Sequence, residues 1–283
     1  MELFTAVYRL VDNFGHNHKF TSMQILLANA KIMRSDDELR DVAPWPLSVP
    51  RWGEVAALLA AEMARMEVGD LASQLHCSAK IAAECWQRFR DVAVATPRPA
   101  IAAFNGQAYK HLRALSLSDG AIGFAQQRLW ITCFLYGLLR PLDAVVPYRM
   151  ECDVHLDATD DCTVHHFWRM VAKDADGISL TDALIQSVKA DDGTLLHLST
   201  EEYEHLFQWQ RVCSEVRVVQ PLFYVRSAGR LKVQAVWAKT CRGAMVRFIL
   251  ENKIACAEAL QAFAYEGFSY SHTDGNKMIF VRE

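Results

Sequence analysis

The run Leu135-Tyr136-Gly137-Leu138-Leu139-Arg140-Pro141-Leu142-Asp143-Ala144-Val145-Val146-Pro147-Tyr148-Arg149-Met150-Glu151 sets a glycine, two prolines, two tyrosines and two arginines between apolar residues. Just upstream, Leu129 to Cys133 is bulky and apolar and reads as a strand; Tyr148 to Leu156 reads as a second one. Both arginines then stand at strand ends. Gly137 permits a positive φ or a close backbone approach, and Pro141 and Pro147 each fix φ and remove a donor. A stiff connection holding Arg140 and Arg149 suits phosphate or carboxylate. The same residues also fit a structural turn with local ion pairs, Arg140 with Asp143 and Arg149 with Glu151.

The surrounding chain bounds the function. With 283 residues, 52% hydrophobic and 22% charged, it is long enough for a large core. A net charge of −3 excludes a polycation that seeks nucleic acid or lipid nonspecifically, so any anion site must be a local patch. No run approaches the roughly 20 apolar residues of a membrane span, and the N-terminus lacks signal-peptide order, so a cytoplasmic location without membrane contact is expected. The eight cysteines are scattered and read as small core residues in a reducing compartment.

In chain order, residues 1–22 are broken by Gly15-His16-Asn17-His18-Lys19 and read as an extension. Met23 to Ala28 is a buried strand running into Asn29-Ala30-Lys31. Lys31 thus caps a strand where open α/β sheets bind ligands, or is a solvated end. Pro44, Pro46 and Pro50 with Trp45 and Trp52 make a stiff loop. Helices are expected over Glu54–Met66, from Asp70, over Ser78–Val92, from Tyr109 and over Asp119–Arg128, with a short strand at Pro99–Phe104. Further helices follow at Thr163–Lys173 and Leu180–Lys189. Next come a strand at Leu195–Ser199 and a capping box, Ser199 to Glu202, opening a helix through Phe207. Val216–Arg226 and Leu231–Ala238 form a hairpin about Ala228-Gly229. A helix then spans Lys239–Asn252, and Asp274-Gly275 turns the chain into a last strand, Lys277–Arg282. The absence of repeats and linkers makes 23–283 one α+β domain of mixed sheets and surrounding helices.

From Arg226 to Lys253 there are seven Lys or Arg against one acid, Glu251, the most basic stretch of the sequence. Lys239 and Arg242 share a helix face; Arg247 points elsewhere and stands four residues before Glu251. Either this is a solvated face, or its bases near the helix start await a phosphate that offsets the macrodipole. Cys152-x2-His155 and Cys162-x2-His165 resemble a metal-binding pattern. Only six residues separate the halves, shorter than zinc sites use, so no metal and no cofactor are expected. Hydrolase, zinc-protease, Walker and dinucleotide motifs are missing. An enzyme would rest on unlinked groups: Lys31 as nucleophile or base, Tyr109, Tyr136 or Tyr148 as acids, Glu151 as carboxylate.

Four stretches together resemble the YaaA peroxide stress resistance family: Asn29-Ala30-Lys31, Phe104 to Tyr109, the central run from Leu135 to Glu151, and Ala238-Lys239 through Arg242-Gly243 to Asn252. Two departures stand out. The family's Ser-Pro-Ala-Lys is Ala28-Asn29-Ala30-Lys31 here, and Phe134 replaces one glycine of Ser-Gly-Leu-Tyr-Gly. The resemblance implies a family-specific fold of mixed helices and sheets with a positive cleft and a helix-hairpin-helix motif binding duplex or branched DNA. It also implies a role in hydroperoxide stress that limits free iron and so protects DNA and proteins. The anion- or DNA-binding residues expected on this basis are Lys31, Arg140, Tyr148, Arg149, Lys239, Arg242 and Arg247. The rival reading is an enzyme acting on a nucleotide-like or other anionic small molecule in the same cleft.

Overall fold

The computed structural model describes residues 22–35, 37–39, 45–160 and 162–283. The expected N-terminal extension therefore lies, apart from Ser22, outside the described residues, as does Pro44. Strand β1 (Gln24–Ala28) precedes helices α1 (Gly53–Met63), α2 (Val68–Gln74) and α3 (Ala79–Arg90). The short strand β2 (Arg98–Pro99) leads to α4 (Ala100–Ala103), α5 (Gln107–Leu112) and α6 (Asp119–Arg128). Then come β3 (Leu129–Cys133), β4 (Gly137–Leu139), β5 (Ala144–Val145), α7 (Val164–Met170) and α8 (Leu180–Lys189). After them stand β6 (Thr194–Leu198), α9 (Glu201–Glu204) and α10 (Trp209–Glu215). The chain closes with β7 (Arg217–Ser227), β8 (Arg230–Lys232), α11 (Ala235–Asn252), β9 (Ala264–Tyr265), β10 (Phe268–Asp274) and β11 (Lys277–Arg282).

One large mixed sheet runs in the order β4-β3-β1-β6-β7-β11-β10-β9, with β8 beside the far end of β7. Its middle, β3-β1-β6-β7-β11, is parallel, and antiparallel strands finish both edges. β2 pairs only with β5. This is the mixed helix-and-sheet architecture the sequence leads one to expect. β1 lies between β3 and β6, and Ile25, Leu26 and Leu27 are buried. A strand covered on both faces needs no polar alternation, which is why it reads as an unbroken apolar run.

Local chemistry sets several boundaries. Ser78, Ser118 and Ser179 each accept a backbone N–H at the start of α3, α6 and α8, removing orphan donors there. Ala228 and Gly229 have φ of 48° and 73°, the two positive values that a two-residue hairpin turn of this twist needs. Gly137 meets both demands expected of it. Its φ is +69°, and a Cβ there would lie 2.9 Å from Leu180 Cδ2.

Other elements differ from expectation. Pro99–Phe104 is not a strand: after two β2 residues it coils into α4, whose four residues are all buried, leaving no period to distinguish helix from strand. Tyr148 to Leu156 forms no strand either; the Tyr148 N–H is spent on Met33 Sδ rather than on a ladder. The box at Ser199–Glu202 fails, since Thr200 Oγ1 is buried without a hydrogen bond, and α9 stops after one turn. β8 ends at Lys232 because α11 begins at Ala235, four residues before Lys239.

Candidate functional site

The parallel strands place chemistry at their C-terminal ends. The chain leaves β1 for its neighbour β3 on one side and later returns as β6 on the other, so a crevice opens beyond β1 and β6 where the winding reverses. Asn29, Ala30 and Lys31 follow β1 into it, and Ser199 to Tyr203 follow β6. The loop after β5 supplies Tyr148, Arg149 and Glu151.

Glu151 is the electrostatic centre. It is buried at 5% exposure; Lys31 Nζ hydrogen-bonds its Oε2, while Arg149 Nη2 lies 2.9 Å from Oε1 as an ion pair that leaves Oε1 without a hydrogen bond. Two cations on one carboxylate leave an excess positive charge. Arg149 Nε is buried and has no hydrogen-bond partner, while the Lys31 side chain remains 46% exposed. The local Arg149–Glu151 pair is therefore real, but it belongs to a triad whose third member comes from β1.

Behind the triad runs a directional hydrogen-bond chain. Tyr203 Oη donates to Asn29 Oδ1 at 2.5 Å, tying the β6 exit to the β1 exit, and Asn29 Nδ2 donates to Tyr148 Oη at 3.0 Å. Cys133 Sγ, on the neighbouring strand end, accepts the Tyr136 N–H at 3.4 Å. Burial raises the Tyr109, Tyr148 and Tyr203 hydroxyls well above the ordinary phenol range, and pushes the Cys133 thiol up to about 12. These groups stay protonated at neutral pH; Tyr109 and Tyr203 donate to Ala28 O and Asn29 Oδ1, while Tyr148 Oη and Cys133 Sγ accept. Asn29 and Tyr203 were not singled out from sequence. The visible signal was a polar Asn directly after an apolar strand.

Two glycines bind α5 and α11 to this crevice. A Cβ on Gly106 would fall 2.6 Å from Ala30 Cβ, and one on Gly243 would fall 1.8 Å from the Ala108 carbonyl oxygen. Gln107 Nε2 adds a 2.8 Å bond to Thr240 Oγ1. The first turn of α5 is thus wedged between the Lys31 loop and α11. Along α11, Lys239 is exposed and Arg242 half-buried, and neither has an ion pair or hydrogen bond among the described residues. Burial lowers the Arg242 pKa with no counter-charge opposing it. Arg247 behaves otherwise: it pairs with Glu251 at 2.5 Å and donates to the carbonyls of Leu112 and Arg113.

Arg140 does not join the others. Its guanidinium donates to Gln24 Oε1, Leu129 O and Ser187 Oγ, and lies 3.3 Å from the Trp130 ring centroid. Gln24 and Leu129 begin β1 and β3, so Arg140 stands at the opposite end of the sheet from Lys31. Burial pushes its pKa down to about 9, and it remains a cation stacked on an indole. Arg140 therefore does not share a cleft with Lys31 and Arg149. Of the cysteine and histidine pattern, His165 Nδ1 meets the Cys152 carbonyl oxygen at 3.0 Å. Among the described residues no three His, Cys, Asp or Glu side chains gather around a metal-sized space. No helix among them is long and apolar enough to cross a membrane.

The geometry can be set beside known proteins. The family model described as peroxide stress protein YaaA matches residues 23–274, which include every element of the crevice and all of α11. The chain belongs to the YaaA peroxide stress protein family. Relatives include a UPF0246 protein of Bacteroides thetaiotaomicron, 39% identical over 263 residues, covering 92% of this chain and 98% of that protein. One from Parabacteroides distasonis is 35% identical over 265 residues, covering 92% of this chain and all of the relative. A third, from Tolumonas auensis, is 34% identical over 249 residues and covers 84% and 92%. The YaaA assignment is thus shared along nearly the whole chain rather than through one motif.

Proposed function

We propose that this YaaA family member acts in the cytoplasm during hydroperoxide stress by binding duplex or branched DNA, through the β7–β8 hairpin and the first half of α11. The observation that carries the reading is a run of bases without acids. Arg230, Lys232 and Lys239 are exposed, Arg242 is half-buried, and none has an ion-pair partner among the described residues. No Asp or Glu occurs between residues 227 and 250. Cations without an acid among them in the chain and without an ion-pair partner are available to replace the counterions of a phosphate backbone. Arg140 and Arg247 hold the scaffold in this reading, because their donors are already engaged by protein groups.

The test is the double variant Lys239→Ala with Arg242→Ala. Duplex affinity should fall, and the slope of log K against log salt should become shallower by about 0.9 per lost contact. The melting temperature should hold, since neither side chain has a partner to lose. Unchanged affinity and slope would refute the assignment of α11 to DNA. Limiting free iron is the cellular consequence in this proposal. A strain carrying only the double variant should stay sensitive to hydroperoxide and keep high chelatable iron.

A further inference from the structure

The crevice at the ends of β1 and β6 is built differently from the α11 face. Its cations are held rather than free: Lys31 and Arg149 converge on one buried carboxylate, Glu151, and the triad keeps one positive charge in excess. Arg149 Nε adds a buried donor with no hydrogen bond. The Tyr203–Asn29–Tyr148 bonds lock the walls, so the cations are presented from a rigid frame. The place itself, the winding reversal of a parallel sheet, is where open α/β folds bind small ligands. Beside it Gly106 packs so closely on Ala30 that a Cβ would fall 2.6 Å from the Ala30 Cβ, which fixes the loop that carries Lys31.

We propose that this crevice binds the terminal phosphate of a phosphomonoester, with Lys31 and Arg149 turning from Glu151 to the phosphate oxygens. The charge arithmetic favours that class. Two cations and one carboxylate give +1, which a dianionic phosphate monoester offsets more fully than a monoanion does. Arg149 offers a planar fork matched to two phosphate oxygens, and its unused Nε supplies a further donor. Lys31, half exposed, is the group with freedom to swing. The phosphate has two sources, a mononucleotide or the 5′ end of a DNA strand, and both present the same chemistry.

Calorimetry on the full chain with deoxyadenosine 5′-monophosphate tests this. Saturable binding is expected, displaced by inorganic phosphate and absent with deoxyadenosine. Lys31→Ala and Arg149→Lys should each weaken it at least ten-fold; Arg149→Lys keeps the charge and should melt near the wild type, whereas Lys31→Ala strips buried Glu151 of a partner and should melt lower, so Arg149→Lys is the variant that isolates binding. The double variant Lys239→Ala, Arg242→Ala should bind the mononucleotide normally, so failure of the DNA reading and failure of this one are separable. A duplex with 5′-phosphates binding more tightly than its 5′-hydroxyl counterpart, with the difference lost in Arg149→Lys, would place the phosphate on DNA ends; equal binding would place it on a free mononucleotide. Absence of saturable mononucleotide binding by the wild-type protein at millimolar concentration overturns the proposal. So does undiminished binding in both crevice variants.

Discussion

Gly243→Ala pits two effects of opposite sign against each other. Replacing glycine by alanine inside a helix ordinarily stabilises by about 1 kcal/mol. Here the new methyl would sit 1.8 Å from the Ala108 carbonyl oxygen and 2.5 Å from its carbon. Ordinary carbon contacts lie at about 3.5 Å, so α5 and α11 must part by more than about 1 Å. Backbone atoms cannot rotate away as a side-chain tip would. Overpacking of this kind costs about 1–3 kcal/mol or more, and the cost should exceed the propensity gain. We expect a net loss of about 2 kcal/mol, a fall in melting temperature of about 3–4 °C for a chain of this size. Urea denaturation with wild-type m-value would measure it. Gly123→Ala on α6 is the control: nothing lies within 4 Å of its built Cβ, so it should gain up to about 1 kcal/mol. If Gly243→Ala matched or exceeded wild-type stability, the two helices would not be in the close contact that places α11 beside the Lys31 loop.

Three further outcomes are expected. Ser179→Ala should cost about 1 kcal/mol at pH 7 through loss of the α8 cap. The Ser179 hydroxyl, and against some burial Arg211, holds the Asp182 carboxyl below its ordinary 3.8. A depressed carboxyl stabilises fully above that ordinary value and loses its contribution as pH falls through the folded one, so the gap between variant and wild type in urea titrations should narrow below pH 3.8 to the part due to the Asp182 N–H, which does not titrate. Cys133 and Cys241, each pushed up to about 12 by burial, should resist alkylation and peroxide in the native protein, whereas exposed Cys256 should be labelled, as mass spectrometry would show. Arg140→Ala should lower the melting temperature by depriving Gln24 Oε1 and the Leu129 carbonyl of the guanidinium donor, yet leave DNA and mononucleotide affinity intact; a selective loss of affinity would return Arg140 to the binding surface.

What could be read from sequence follows the physics of each segment. β3, α6, α8 and β11 fall where periodicity and capping residues put them, because serine caps and apolar runs act over a few residues. α4 escaped because Ala100-Ile101-Ala102-Ala103 is buried on every side and carries no period. The strand expected from Tyr148 failed because tertiary contacts claim that loop: Met33 takes its N–H and Lys31 its carboxylate. Lys31 and Arg149 were legible one at a time, as a strand end and a rigid arginine. Their meeting on Glu151 was not, since the two stand 118 positions apart in the chain and only sheet order brings them together.

The run from Leu135 to Glu151 shows why a single motif need not mean a single site. β4 turns back antiparallel to β3, which carries Arg140 to the starts of the parallel strands. There it is fully engaged, with three hydrogen-bond acceptors and an indole, and the burial that lowers its pKa leaves it little contact with solvent. The chain then passes through β5 and Pro147 to the opposite end, where Arg149 keeps an unused buried donor beside a half-exposed lysine. Saturated donors identify the scaffold; unsatisfied donors and surplus charge identify a place for a ligand. By that criterion the motif contributes one arginine to folding and offers the other for the phosphate contact proposed above. The family resemblance of the whole run is then compatible with a functional role for only half of it.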